Sequence, residues 1–157
     1  MTSPTFTHLR VHSEYSIVDG LVRIDDLVGA AAKDKQPALA VTDLANMFCM
    51  VRFYKAARGK GIKPIIGVDA WITNEDNREK PSRLLILAKN HTGYLQLCDL
   101  LSRAWLTNQY KGRAEFRIEW LEALATSKST LEPDADQANG LIVLSGACFG
   151  DVDQAID

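Results

Sequence analysis

The 157-residue sequence lacks the features of a basic nucleic-acid-binding surface, a disulfide framework or a membrane protein. Lys and Arg number 18 against 20 Asp and Glu, so any contact with DNA would belong to other parts of a larger molecule. The three cysteines are odd in number and form no C-x-x-C pair, which argues against disulfides and a structural zinc cluster. No charged segment followed by an apolar run opens the chain, and no apolar run could span a membrane. These absences predict a soluble, cytoplasmic protein with buried free thiols and no membrane partner.

Short apolar strands alternate with amphipathic helices along the chain. Strands are predicted at 6–11, 38–42, 64–72, 84–88 and 141–145. Helices are predicted over 23–35, 45–61, 91–106 and 117–126, with Gly61 as the C-terminal cap of the second. Near-continuously apolar strands separated by helices are typical of a mostly parallel sheet in an α/β fold. We expect residues 1–157 to form a single domain. The helical pattern that begins near residue 149 stops without a cap, which predicts that this domain belongs to a longer chain.

Polar side chains gather where the predicted strands end. Arg10 and His12 follow the first strand, Asp43 follows the second, and Asp69 lies within or near the end of the third. In parallel α/β folds this edge binds ligands, and a histidine at each end of an H-x-H triplet can ligate one metal. Here the triplet is Arg10-Val11-His12, and His8 and His12 form the other even-spaced pair. The histidines could equally be hydrogen-bonded strand-end residues, and Asp43 could equally cap the helix over 45–61.

Four segments resemble the polymerase-and-histidinol-phosphatase (PHP) domain in order and spacing. They are HLRVHSEYSIVDG, PALAVTDLANMFCMVRFYKAARGKGIKPIIGVDAWI, LLILAKNHTGYLQL and GLIVLSG. More narrowly, HSEYSIVDG and FYKAARGKGIKPIIG resemble the version of this domain at the N-terminus of bacterial replicative DNA polymerase III alpha subunits. The resemblance implies a distorted, TIM-like (β/α) barrel, of which this chain would form an incomplete, N-terminal part.

The resemblance also implies a set of metal-site positions. Metal-binding members of the family hold divalent ions with histidines and carboxylates at the strand ends. Three matching positions keep a possible ligand here: His12, Asp19 and Asp69, the last standing where the family has glutamate. Three others do not, because family histidines are replaced by Arg10, Leu44 and Arg83. A family cysteine is replaced by Ala147, with Cys148 one place later.

Two of these replacements are cations, which oppose metal binding more strongly than simple loss of a ligand. A guanidinium has no lone pair for a metal and stays protonated in proteins. We therefore expect a degenerate site with no metal and no catalytic residues, flanked by His8 and Asp43. We also expect Arg10 or Arg83 to pair with Asp19 or Asp69.

The function that the resemblance implies is that of a structural domain in a DNA-directed DNA polymerase. The expected partners are the rest of the alpha subunit, the proofreading exonuclease subunit, and DNA through other domains. No cofactor is expected in this part of the protein. One alternative is a metal-dependent phosphoesterase or 3′–5′ exonuclease of the same family. Another is a free-standing phosphatase of the histidinol-phosphate type.

Overall fold

A computed structural model describes residues 6–126, 140–146 and 150, and these form alternating helices and strands. In chain order the elements are α1 (Ile24–Lys33), β1 (Ala38–Val41), α2 (Met50–Gly59), β2 (Lys63–Ile72), β3 (Ser82–Ala88), α3 (His91–Thr107), β4 (Gln109–Tyr110), β5 (Arg113–Phe116), α4 (Ile118–Thr126) and β6 (Leu141–Ser145). The predicted α/β class is confirmed. The chain divides into two compact units, one up to Val68 and one from Asp69 onward. The predicted loop over 127–139 and the predicted final helix lie outside the described residues.

The first unit contains α1, β1, α2 and the first part of β2. Strand β1 pairs in parallel with β2, from Ala38 opposite Lys63 to Val41 opposite Ile66. The prediction of a regular strand over 6–11 is wrong, although this segment runs beside β1 and its carbonyls accept hydrogen bonds from two β1-side amides. The Val11 amide donates to the Thr42 side-chain hydroxyl at 3.1 Å. The Thr42 hydroxyl thus replaces a backbone carbonyl as the acceptor for Val11, and residues 6–11 do not complete a backbone hydrogen-bond ladder with β1.

The core of the first unit lies between the two helices and β1. It is built from aliphatic side chains around Phe53, which is completely buried. Helix α2 begins at Met50 rather than at residue 45, because the preceding segment folds as turns. Ala45 has a φ of 53°, and the Asn46 side chain donates to two backbone carbonyls. Gly61, with a φ of 74°, follows the end of α2 as the sequence predicted.

The second unit contains a sheet in the order β4-β5-β2-β3-β6, with β4 and β6 at its edges. Strand β5 is parallel to β2, whereas β3 and β6 are antiparallel, as are β4 and β5. The sheet is therefore mixed rather than mostly parallel, and its described strands do not close into a ring. The β4–β5 hairpin was not predicted. Its turn is made by Lys111 and Gly112, whose positive φ angles of 48° and 80° suit a tight hairpin connection.

Helix α3 packs its apolar face against β3 and β5. The Asn90 side chain caps its first turn by accepting from the Gly93 amide at 3.0 Å. Gly93 lies directly against Gly140, and a Cβ on Gly93 would stand 1.8 Å from the Gly140 carbonyl oxygen. Glycine at this position therefore lets the backbone before β6 approach the start of α3.

Candidate functional site

The loop that follows the first histidines is held in shape by Asp19. Its Oδ1 lies 2.8 Å from His12 Nδ1 and accepts a hydrogen bond from Ser16 Oγ at 2.7 Å. The Gly20 amide closes the loop by donating to the Ser16 carbonyl. A Cβ on Gly20 would lie 1.8 Å from the Ser13 carbonyl oxygen, so only glycine fits there without a backbone shift. Two predicted site residues, His12 and Asp19, are thus in direct contact.

Asp43 anchors the same loop from the opposite side. Its carboxylate is buried and accepts the Ser13 amide at 2.6 Å and the Ser13 hydroxyl at 2.8 Å. The alternative that Asp43 caps α2 is wrong, because the N-cap position is Cys49 and no side chain caps the helix. Burial, reinforced by the negative charge of Asp43, raises the pKa of the Cys49 thiol to about 12. Asp19 and Asp43 thus both hold the loop in shape.

Leu44 follows Asp43 and contributes through its backbone. Its amide donates to Ser16 Oγ at 3.1 Å, and the same hydroxyl donates to Asp19. Ser16 was not among the predicted site residues. Ser16 begins an S-x-x-D motif that ends at Asp19. At this spacing a hydroxyl and a carboxylate meet across a turn, so the motif could have identified Ser16.

The second unit contains a buried ion pair at two of the predicted positions. Arg83 Nε lies 3.1 Å from Asp69 Oδ1, and Arg83 Nη2 lies 2.9 Å from Asp69 Oδ2. The side chain of Asp69 is 0% exposed and that of Arg83 is 8% exposed. The Arg83 guanidinium also lies over the Trp71 ring, 4.8 Å from its centroid. The expected pairing of Arg83 with Asp69 is observed, whereas the assignment of these two residues to former metal-site positions stays a prediction.

The remaining predicted residues take separate positions. Arg10 is half-buried, and its pairing with Asp19 or Asp69 stays a prediction. The exposed His8 ring packs edge-on against Phe6 at 4.7 Å. Ala147 and Cys148 lie outside the described residues.

A second buried carboxylate of this unit, Glu115, was not predicted from the sequence. It is fully buried on β5, 2.9 Å from Arg78 Nη2 and 3.0 Å from Arg113 Nη2. Thr73 donates to it as well. Arg113 stands two residues before Glu115 and so shares its face of the strand, which is the sequence signal that could have revealed the pair. The contacts from Thr73 and Arg78 join the hairpin to the 73–80 segment.

The donor set does not fit a metal ion. Within the described part of the chain, no three His, Cys, Asp or Glu side chains converge as a metal centre requires. Asp69 is engaged by a guanidinium, while Arg10 and Leu44 offer no ligand atom in their side chains.

The family model described as "PHP domain" matches residues 8–157, and the chain belongs to this family. Within the family, it is similar to DNA polymerase III alpha subunits. It is 41% identical over 152 residues to the DNA polymerase III subunit alpha of Pseudomonas aeruginosa, covering 97% of this chain and 12% of that protein. The alpha subunit of Escherichia coli K12 is 38% identical over 156 residues, covering 99% of this chain and 12% of that protein. The chain thus spans about one eighth of the length of these relatives.

A solved structure supports the fold. An amidohydrolase from Chromobacterium violaceum, solved with bound sulfate and no metal, matches 62% of this chain and 32% of its own with a TM-score of 0.50 and 20% identity. Among the described helices, none has the length and apolar character needed to cross a membrane.

Proposed function

We propose that this chain is the N-terminal part of the PHP domain of a bacterial replicative DNA polymerase III alpha subunit. In this role it acts as a scaffold and has no hydrolytic activity of its own. The similarity to alpha subunits over nearly the whole chain supports the assignment. DNA synthesis by the complete subunit, and its contacts with DNA, would then reside in domains outside this chain.

The contact of Arg83 with both carboxylate oxygens of Asp69 is the main support for the proposal that the domain has no hydrolytic activity. Arg83 Nε donates to Asp69 Oδ1, and Arg83 Nη2 lies 2.9 Å from Asp69 Oδ2, so both carboxylate oxygens face the guanidinium. A divalent ion at the same carboxylate would also meet the positive charge of Arg83 a few ångströms away, a repulsion of several kcal/mol even at an effective dielectric of about 20. We infer that the Arg83 guanidinium fills the space beside Asp69 and supplies the positive charge that a metal ion would supply there.

The rival function is a metal-dependent phosphoesterase or 3′–5′ exonuclease, and it predicts hydrolysis. The purified chain should be incubated with a chromogenic phosphodiester and with a 3′-labelled oligonucleotide in the presence of Mn²⁺ or Zn²⁺. We expect no turnover above a metal-only blank. A metal-binding PHP phosphoesterase assayed in parallel serves as the positive control. Metal-dependent turnover that disappears with a chelator would contradict the proposal.

Replacing Arg10, Leu44 and Arg83 with the family histidines tests whether this site descends from a metal site or never bound metal. Arg10→His alone should leave the chain inactive, because two other family ligands would still be missing. The triple variant Arg10→His, Leu44→His and Arg83→His should bind Mn²⁺ or Zn²⁺ more tightly than the parent, measured by calorimetric titration. Equal binding by the parent and the triple variant would argue against a former metal site.

The proposed protein partner is the proofreading exonuclease subunit, which the family relationship suggests. Surface plasmon resonance with the purified exonuclease subunit of the same organism tests this contact. A saturable response, absent for the heat-unfolded chain, is expected. The absence of a response at micromolar concentrations would contradict binding of the exonuclease subunit. It would not bear on the scaffold role within the alpha subunit.

A further inference from the structure

Four exposed lysines lie at one edge of the first unit. Lys33 ends α1 and Lys35 follows it, while Lys60 follows the end of α2 and Lys63 begins β2. Strands β1 and β2 run in parallel, and the first residue of β1, Ala38, pairs with Lys63. The four lysines therefore lie where the two strands begin. We refer to them as the basic edge.

Two contacts bring the parts of the basic edge together. Lys60 Nζ lies 3.5 Å from the position that a Cβ on Gly29 would take, so its ammonium group lies along α1. Gly29 is one helical turn before Lys33 and shares its face of the helix. The Lys63 amide donates to the Pro37 carbonyl at 3.0 Å. The end of α2 and the start of β2 are thus both held against the end of α1 and the segment that follows it.

The positive charge of the basic edge is not neutralised locally. Segments 33–37 and 58–63 contain five cations and one acid, Asp34, whose carboxylate accepts a hydrogen bond from Gln36 at 2.9 Å. The next acid along α1 is Asp26, in its first turn. In the part of the chain that the structure describes, none of the four lysines forms a salt bridge. The net charge of −2 for the whole chain therefore conceals a local excess of cations.

The helix dipoles account for only part of this charge. A cation in the last turn of a helix is stabilised by the carbonyls there, and Lys33 has this position in α1. Lys35 and Lys63 lie beyond the last turns of the two helices, and the ammonium group of Lys60 lies along α1. The basic edge thus has more positive charge than the two helix ends require.

The residue types at the basic edge favour a phosphate backbone as the partner. Lysine is depleted in protein–protein interfaces, whereas it binds nucleic-acid phosphates as a point charge. Binding in a membrane surface also needs apolar side chains that insert among the lipids. In segments 33–37 and 58–63 the large apolar side chain, Ile62, is buried. The relatives are DNA polymerase subunits, so DNA is the polyanion that a longer chain of this kind would meet.

We propose that the basic edge contacts the phosphate backbone of DNA bound by the full-length alpha subunit. This contact is an addition, within this chain, to the DNA contacts of the later domains. It is separate from the degenerate site, because Asp43 follows the end of β1 and the basic edge lies at its start. The inference rests on the proposed function, since it requires the longer subunit. An acidic segment of a partner protein is the competing occupant, and it predicts no effect on DNA binding.

The test measures how DNA binding by the full-length subunit depends on salt. The basic-edge variant carries Lys33→Glu, Lys60→Glu and Lys63→Glu. A control variant makes the same change of charge at exposed positions elsewhere, through Arg23→Glu, Lys80→Glu and Arg117→Glu. Binding to a primed DNA template is followed by fluorescence anisotropy in sodium chloride from about 50 to 200 mM.

We expect the basic-edge variant to lose phosphate contacts. Each lost contact lowers the slope of log K against log salt by about 0.9, so the slope should fall by about 2–3 and the affinity by about tenfold or more. The control variant should keep the slope of the parent. Circular dichroism verifies the folding of each variant, and Lys33→Gln, Lys60→Gln and Lys63→Gln together replace the charge reversals if these prevent folding.

Equal slopes for the parent and the folded basic-edge variant would overturn the inference, as would an equal loss in the control variant. Primer extension by the parent subunit tests the proposed function in the same preparation. A full-length protein that does not extend a primer defeats the proposed function. Normal extension together with an unchanged slope in the basic-edge variant defeats only the inference.

Discussion

The most informative single substitution is Arg83→Ala. Arg83 makes two contacts with a carboxylate that has no solvent exposure, at 3.1 and 2.9 Å. Removing the guanidinium deprives Asp69 of both contacts and takes away the cation above the Trp71 ring. Because Asp69 sits in the middle of β2, water cannot readily replace the lost donors.

The expected cost follows from the burial of both partners. Breaking a buried ion pair by removing one member costs roughly 3–5 kcal/mol, because the other charge remains in a poorly solvated place. For a chain of this length, 1 kcal/mol corresponds to about 2–4 °C in Tm, so Arg83→Ala should lower Tm by roughly 6–20 °C. Removing both members, as in Asp69→Leu with Arg83→Met, should recover most of the loss, since apolar replacements of buried pairs are often neutral.

Urea denaturation followed by circular dichroism measures these differences. Arg103→Ala is the matched control, because its pair with Asp99 has a comparable distance of 2.7 Å but both side chains are exposed. That control should cost less than about 1 kcal/mol. If Arg83→Ala cost no more than Arg103→Ala, the buried pair would not carry the role assigned to it.

Three further predictions concern the first unit. Arg10→Ala should lower the denaturation midpoint, though by less than Arg83→Ala because Arg10 is only half-buried; an unchanged midpoint would show that it pairs with nothing of consequence. Gly20→Ala should cost about 1–3 kcal/mol because its Cβ would meet the Ser13 carbonyl, whereas Gly59→Ala, with open space around it, should not destabilise in the same thermal melt. Cys49 should resist iodoacetamide at pH 8 while the half-buried Cys98 reacts, read by mass spectrometry. Because the pKa of Cys49 is raised to about 12 from 9.0, its contribution to stability is present below pH 9 and is lost as pH rises toward 12; rapid native alkylation would contradict its burial.

Elements with strong periodicity could be predicted from the sequence, and elements decided by side-chain hydrogen bonds could not. Helix α3 differs from its prediction by one residue, because its apolar periodicity places one face against the sheet. The strand at 141–145 was predicted with the observed bounds because its aliphatic residues favour a strand, although four of its five side chains are exposed. The start of α2 was predicted five residues early because the Asn46 side chain replaces helical bonds with turns. The hairpin around Lys111 was missed because it is only a few residues long.

The candidate site divides in the same way. The pairing of Arg83 with Asp69 was among the pairings expected, because the resemblance places both residues at metal-site positions and a buried charge needs a partner. The role of Asp43 could not, since its partner Ser13 lies thirty residues away and only the fold brings them together. Glu115 was missed for the same reason, because Arg78 reaches it from a separate loop.

The central claim is that arginine has taken the place of a metal in this PHP domain. Elemental analysis of the chain, purified without chelator and dialysed against Mn²⁺ and Zn²⁺, tests it most directly. The claim predicts much less than one metal ion per chain in the parent, and a clear increase in the Arg10→His, Leu44→His and Arg83→His triple variant. One or more tightly held ions per chain in the parent, lost when His12 and Asp69 are replaced by alanine, would contradict it.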